Sequence, residues 1–125
     1  MLVEEGDVRT YERTFTEADV RQFAEVSGDT GRQHVERDEQ GRLMAQGLLT
    51  ATLPTKIGGE LNYVASTMTF EFHRPVYAGD TVTCETEMTT VVEQADRTLL
   101  TAEFVCHNQD GERVVSGQSE GIIPE

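Results

Sequence analysis

The chain has 125 residues, enough for one domain (1–125) with a single core, and its 23 acidic against 10 basic residues give a formal net charge of -13. So negative a field disfavours nucleic acid and anionic membranes as partners. The opening residues lack a basic start followed by an apolar run, and no stretch approaches the ~18 apolar residues of a membrane span, so we expect a cytoplasmic protein with no secretory signal and no membrane partner.

Residues 8–15 (VRTYERTF) predict a first strand. Thr16 then starts a helix, with Asp19 completing a pattern like a capping box and Glu17 and Asp19 suiting a helix N-terminus. Val20, Phe23, Ala24 and Ser27 recur at spacings of three and four, and Gly28 ends the helix. Residues 29–44 are polar and contain glycine, which predicts a loop. The segment AQGLLTATLPTKIGGEL predicts one long helix with Leu48, Leu49, Thr52, Leu53, Lys56 and Ile57 on its apolar stripe, Pro54 as an internal difficulty and Gly58-Gly59 as its end. The remainder alternates with period two. In STMTFEFHR, Met68, Phe70 and Phe72 face one way and Thr67, Thr69, Glu71 and His73 the other. Pro75 ends that strand, and Ala78-Gly79-Asp80 marks a turn. Further strands are expected at 81–93, 97–107 and 112–122, the last two joined through Asn108-Gln109-Asp110-Gly111. Strand, helix, loop, long helix and four strands favour an α+β fold, an antiparallel sheet with helical cover on one face.

The chemistry-bearing candidates are Asp29 and His34 in SGDTGRQH, just past a helix C-terminus. A carboxylate and an imidazole around one water suit general acid–base work. Hydrating a conjugated double bond needs such a pair: water loses a proton as its oxygen attacks Cβ, and Cα gains one. Gly47 stands at the start of the long helix, where backbone N–H groups lack partners and a missing side chain admits a close ligand. Such a start, aimed at a thioester oxygen, would stabilise enolate-like charge.

These pieces resemble a family. SGDTGRQH resembles the Gly-Asp-x-Asn-Pro-x-His signature of MaoC-like dehydratases and (R)-specific enoyl-CoA hydratases, with Gly31 and Arg32 where the signature has Asn and Pro. AQGLLTATL resembles their His-Gly-Met/Leu segment, with Gln46 in the histidine's place, and FEFHRPVYAGDTVTCETEM resembles their Arg-Pro-Val-x-x-Gly-Asp-x-Val strand. The order of these pieces matches from about residue 12 to 120. The resemblance implies a hot-dog fold, a five-stranded antiparallel sheet wrapped around one long helix. It implies a homodimer or higher oligomer with acyl-CoA thioesters bound near the interface. Carried over by position, Asp29 and His34 match the catalytic dyad, Gly47 the glycine whose N–H holds the thioester carbonyl, and Thr55 a hydroxyl that orients the aspartate. The implied reaction is syn hydration of trans-2-enoyl-CoA to an (R)-3-hydroxyacyl thioester, or the reverse dehydration, with no cofactor beyond the coenzyme A of the substrate. Arg74, Arg42, Arg32 and Lys56 are candidates for a basic patch that meets the polyanionic coenzyme.

Two alternatives belong beside it. A hot-dog acyl-thioesterase would attack the carbonyl itself, but many of these carry their acid on the long helix, and here that helix has no carboxylate before Glu60. A non-catalytic acyl-thioester-binding subunit draws on the altered Gly31-Arg32 loop. His34, His73 and His107 lie far apart without metal-ligand spacing, so no metal is expected. Cys84 and Cys106 lie in predicted strands as small buried hydrophobes. One lysine, Lys56, against nine arginines, together with the abundant acid, resembles proteins of halophilic archaea, in which salt screens self-repulsion.

Overall fold

Thr16 ends one element and begins the next. Before it, strand β1 (Val8–Thr14) stops one residue short of the expected end, and Phe15 turns inward, fully buried. After it comes helix α1 (Glu17–Ser27), whose first turn carries a complete capping box: the Asp19 N–H donates to the Thr16 hydroxyl at 3.1 Å, and the Thr16 N–H donates to the Asp19 carboxylate at 3.0 Å. The computed structural model describes residues 3–125, so the first two residues of the expected domain and of the opening segment lie outside the described residues. Burial pushes the Asp19 carboxyl up, but hydrogen bonds from the Thr16 backbone and hydroxyl and the Arg13 guanidinium outweigh it and hold the pKa below the usual 3.8. A depressed folded-state pKa contributes stability above the unfolded value and loses it as pH falls through the folded one. Thr16→Ala should therefore cost ~1 kcal/mol at neutral pH. Urea midpoints should show that cost shrinking below the usual carboxylate range.

The expected loop at 29–44 contains one turn of helix, α2 (Arg32–Val35), supported by an Arg32–Glu36 ion pair at 2.8 Å. The expected long helix is two. Helix α3 (Gly47–Thr50) and helix α4 (Thr52–Glu60) meet at Ala51. Pro54 explains the break: it has no N–H for the Thr50 carbonyl, and its ring crowds that oxygen. The Thr52 hydroxyl bonds the Leu49 carbonyl at 2.6 Å across the join. Gly58-Gly59 do not end the helix; they lie inside α4, and Asn62, left-handed at φ 56°, turns the chain beyond it. Of the expected stripe, Leu49, Leu53 and Ile57 are buried, whereas Leu48 and Lys56 are exposed.

Four strands follow: β2 (Val64–Phe72), β3 (Thr81–Glu93), β4 (Arg97–His107) and β5 (Arg113–Pro124). They form a five-stranded antiparallel sheet with β1, in the order β1-β3-β4-β5-β2. One face, with Val82, Met88, Leu100, Phe104 and Val115, packs on Leu49, Leu53, Ile57 and Leu61 of the helical segment. This is the α+β hot-dog arrangement, with its central helix in two pieces. Met68, Phe70 and Phe72 share one face of β2 as expected; because β2 sits at the sheet edge, Phe70 packs on the core and on Phe104 while Met68 and Phe72 stay exposed. Cys84 and Cys106 are directly paired across β3 and β4, both buried and both free.

The outer face of the sheet is acidic. Exposed Glu87 and Glu103 stand directly opposite one another, and Glu85 is two residues along the same strand. Like charges in directly opposed positions destabilise a strand pair, and at ~1 M salt the Debye length is only ~3 Å. The melting temperature should rise with potassium chloride. Glu103→Gln should raise it more in dilute buffer than in molar salt; an equal rise in both would remove the electrostatic reading.

Candidate active site

Gly28, left-handed at φ 76°, turns the chain out of α1 and brings Asp29 against α2. The Gly31 N–H lies 3.4 Å from Asp29 Oδ1, at the long end of hydrogen bonding, and Asp29 Oδ2 lies 3.6 Å from Nε2 of His34. His34 is buried, whereas Asp29 is about half exposed. The other imidazole nitrogen, Nδ1, is 2.7 Å from the Met44 carbonyl oxygen. A carbonyl only accepts, so Nδ1 carries the proton, and in the neutral ring Nε2 is an acceptor that meets the Gln33 amide N–H at 3.3 Å and faces Asp29. At 3.6 Å the two atoms are too far apart for a direct hydrogen bond and too close to hold a water between them, so a water can meet both only from one side of the pair.

His34 also lines a cleft of about 520 Å³ with Gln33, Met44, Gly47, Thr50, Phe72 and Arg74. The two groups sequence spacing set thirteen positions apart thus meet in one space. At Gly47 the helix bonds begin: the Leu49 and Thr50 N–H groups donate to Gln46 O, and the Ala51 N–H to Gly47 O. The Gly47 and Leu48 amides precede them and have no partner among the described residues. A Cβ on residue 47 would lie 2.6 Å from the Phe72 ring, so a side chain there would have to push that exposed ring aside. Gln46 is buried and ties the start of α3 to α1 by donating to the Val20 carbonyl at 3.0 Å.

The other expected site residues fall elsewhere. Thr55 is not brought to Asp29: its hydroxyl donates to the Ala51 carbonyl at 3.3 Å. It lines a second, mostly apolar cavity of about 190 Å³, with Ile57, Gly58, Met68, Met88 and Phe104. Of the basic candidates only Arg74 lines the cleft, paired with Glu112 at 3.2 Å. Arg42 pairs with Asp38 and lies over the Tyr77 ring, Arg32 pairs with Glu36, and Lys56 pairs with Glu60 over Tyr11. On so acidic a surface most cations are taken up by neighbours, which sequence position does not reveal. Phe72, Thr50 and the Met44 carbonyl escaped the sequence reading, although Thr50 lies three residues after Gly47, on the same helical face. Among the described residues, no group of three or more His, Cys, Asp or Glu side chains is placed to hold a metal ion, and no helix is long and apolar enough to cross a membrane.

An antiparallel sheet around a broken helix, with a cleft that His34 and Gly47 both line, defines a hot-dog protein. The match is specific: the FAS1-like dehydratase domain region is found over residues 2–116, and the chain belongs to that family. It is 28% identical, over 98% of its length and 89% of the relative's, to an (R)-specific enoyl-CoA hydratase of Rhodospirillum rubrum. Among solved structures it is similar to the (R)-hydratase of A. caviae involved in PHA biosynthesis, with 26% identity, 98% of each chain covered and a TM-score of 0.86. The unliganded R-hydratase of Pseudomonas aeruginosa gives 26% identity and a TM-score of 0.83, over 98% of this chain and 83% of that one.

Proposed function

We propose that the protein is a lyase that hydrates trans-2-enoyl-CoA to (R)-3-hydroxyacyl-CoA, or runs the reverse dehydration. The observation that carries this is the facing pair Asp29 and His34, 3.6 Å apart, with the His34 tautomer set by Met44. A water resting against both groups from one side gives one proton to His34 Nε2 as its oxygen bonds Cβ. The Asp29 carboxylate accepts the other O–H and offsets the positive charge on the ring. Electron density moves through Cα to the thioester oxygen, where the Gly47 amide meets it. The proton held on His34 then passes to Cα from the same side, which is syn addition. The thioesterase alternative finds no support: neither α3 nor α4 carries a carboxylate before Glu60, and Glu60 is paired with Lys56. Arg74 is the cation placed to meet the coenzyme's phosphates, by exchanging its contact with Glu112.

The exposed edge strand β2, with Val64, Met68 and Phe72, suits a second copy of this chain, and the acidic sheet face suits work in high salt. In molar potassium chloride, crotonyl-CoA should lose its enoyl absorbance without releasing free thiol, and light scattering should give a dimer. Thiol release in place of absorbance loss would overturn the hydratase reading, and a monomer would overturn the paired edge.

A further inference from the structure

Two buried side-chain atoms among the described residues have no hydrogen-bond partner: Gln46 Oε1 and Thr50 Oγ1. Thr50 differs from Gln46 in lining the cleft that holds His34 and Gly47. Its side chain is 99% buried by the measure of its 1% exposure. A buried hydroxyl that gives up its water and receives nothing in return is unfavourable for folding. Such a group is retained where a ligand supplies the missing partner.

The helix geometry says which atom of the ligand that is. A helical Cα–Cβ bond tilts toward the helix N-terminus, and residues three apart share a face. Thr50 therefore shares the face of the turn begun by Gly47. The Gly47 and Leu48 amides point out of the same end without partners. Thr50 lines the same cleft as Gly47 and Leu48, so its unpartnered hydroxyl and those amides belong to residues bordering one space.

Resting on the hydratase reading, we propose that Thr50 is a further binding residue of the reaction: its hydroxyl donates to the thioester carbonyl oxygen beside the Gly47 amide. The bond strengthens as that oxygen gains enolate charge, so it lowers the barrier more than it tightens substrate binding.

The test uses Thr50→Val, which keeps the shape and removes the donor, and Thr50→Ser, which keeps the donor. For crotonyl-CoA hydration, Thr50→Val should lower kcat by roughly tenfold to a hundredfold, the loss of one hydrogen bond to a charged group, with KM little changed. Thr50→Ser should retain most of the rate. The melting temperature of Thr50→Val should match or exceed that of the parent, because an unpartnered buried hydroxyl is gone. Infrared difference spectra of a bound enoyl thioester labelled with 13C at the carbonyl should show a higher stretching frequency in Thr50→Val, as the carbonyl is less polarised. An active parent with unchanged kcat and carbonyl frequency in Thr50→Val overturns this assignment alone. Equal losses in both variants reduce Thr50 to packing. A parent without hydratase turnover overturns the proposed function and this inference together.

Discussion

His34→Gln and Asp29→Asn are each expected to lower kcat for crotonyl-CoA hydration by roughly a hundredfold to ten-thousandfold, the range general acid–base groups supply. The double variant should be little worse than the worse single one, because the two groups hold one water and act as a unit. Glutamine cannot take a proton from water, whatever its hydrogen bonds, so the first change removes the base outright. Asparagine keeps an acceptor oxygen but loses the charge that supports an imidazolium 3.6 Å away. Asp29→Asn should leave the fold alone, since Asp29 is half exposed, whereas His34→Gln removes a buried ring bonded to the Met44 carbonyl and should lower stability by about 1–3 kcal/mol. For Asp29→Asn, a melting temperature close to the parent's beside the lost turnover is the expected pattern. A double variant that still hydrates crotonyl-CoA at the parent rate removes the dyad from the mechanism.

Gly117→Ala should act in the opposite manner and damage the fold before the chemistry. A Cβ at that position would lie 1.9 Å from the Thr69 carbonyl oxygen and 2.8 Å from the Phe104 ring. The first contact is to backbone, so no rotamer change relieves it. Gly121 repeats the condition one turn of the strand further on, with a Cβ 2.2 Å from the Val64 carbonyl. These two glycines let β2 close against β5 across the shift in register between Ala65 and Thr67, and so bring the sheet edge around the helix. Inserting a methyl should cost at least about 3 kcal/mol by urea denaturation, and fast amide exchange should appear first in β2. An unchanged midpoint would show that the strands do not approach so closely.

Much of this was legible from the residues. The capping box at Thr16, the glycine cap at Gly28 and the period-two strands are local signals, and local physics decides them. The Asp29–His34 pair was legible for a related reason: both lie in one short loop, so convergence needs little tertiary information. What failed was set by the fold. Pro54 was flagged as a difficulty, but only the packed structure shows the helix parting at Ala51. Alternation put Met68, Phe70 and Phe72 on one face, but that two of them are exposed follows from β2 being an edge strand, which no pattern within the strand reveals. Thr55 and three of the four basic candidates were placed by correspondence and turn to neighbours of their own.

The parting of the helix at Ala51 has a mechanical meaning. Leu53 and Ile57 of α4 are anchored in the core, while α3 presents Gly47, Leu48 and Thr50 to the cleft and anchors through Leu49. A continuous helix would transmit any tug at its first turn down the rod into that core. With the helix parted there, the first turn takes its position from its own ties, Gln46 to the Val20 carbonyl and the Thr52 hydroxyl to the Leu49 carbonyl, and not from the axis of α4. The protein can thus accommodate a substrate's arrival at the cleft while the core beneath it stays still.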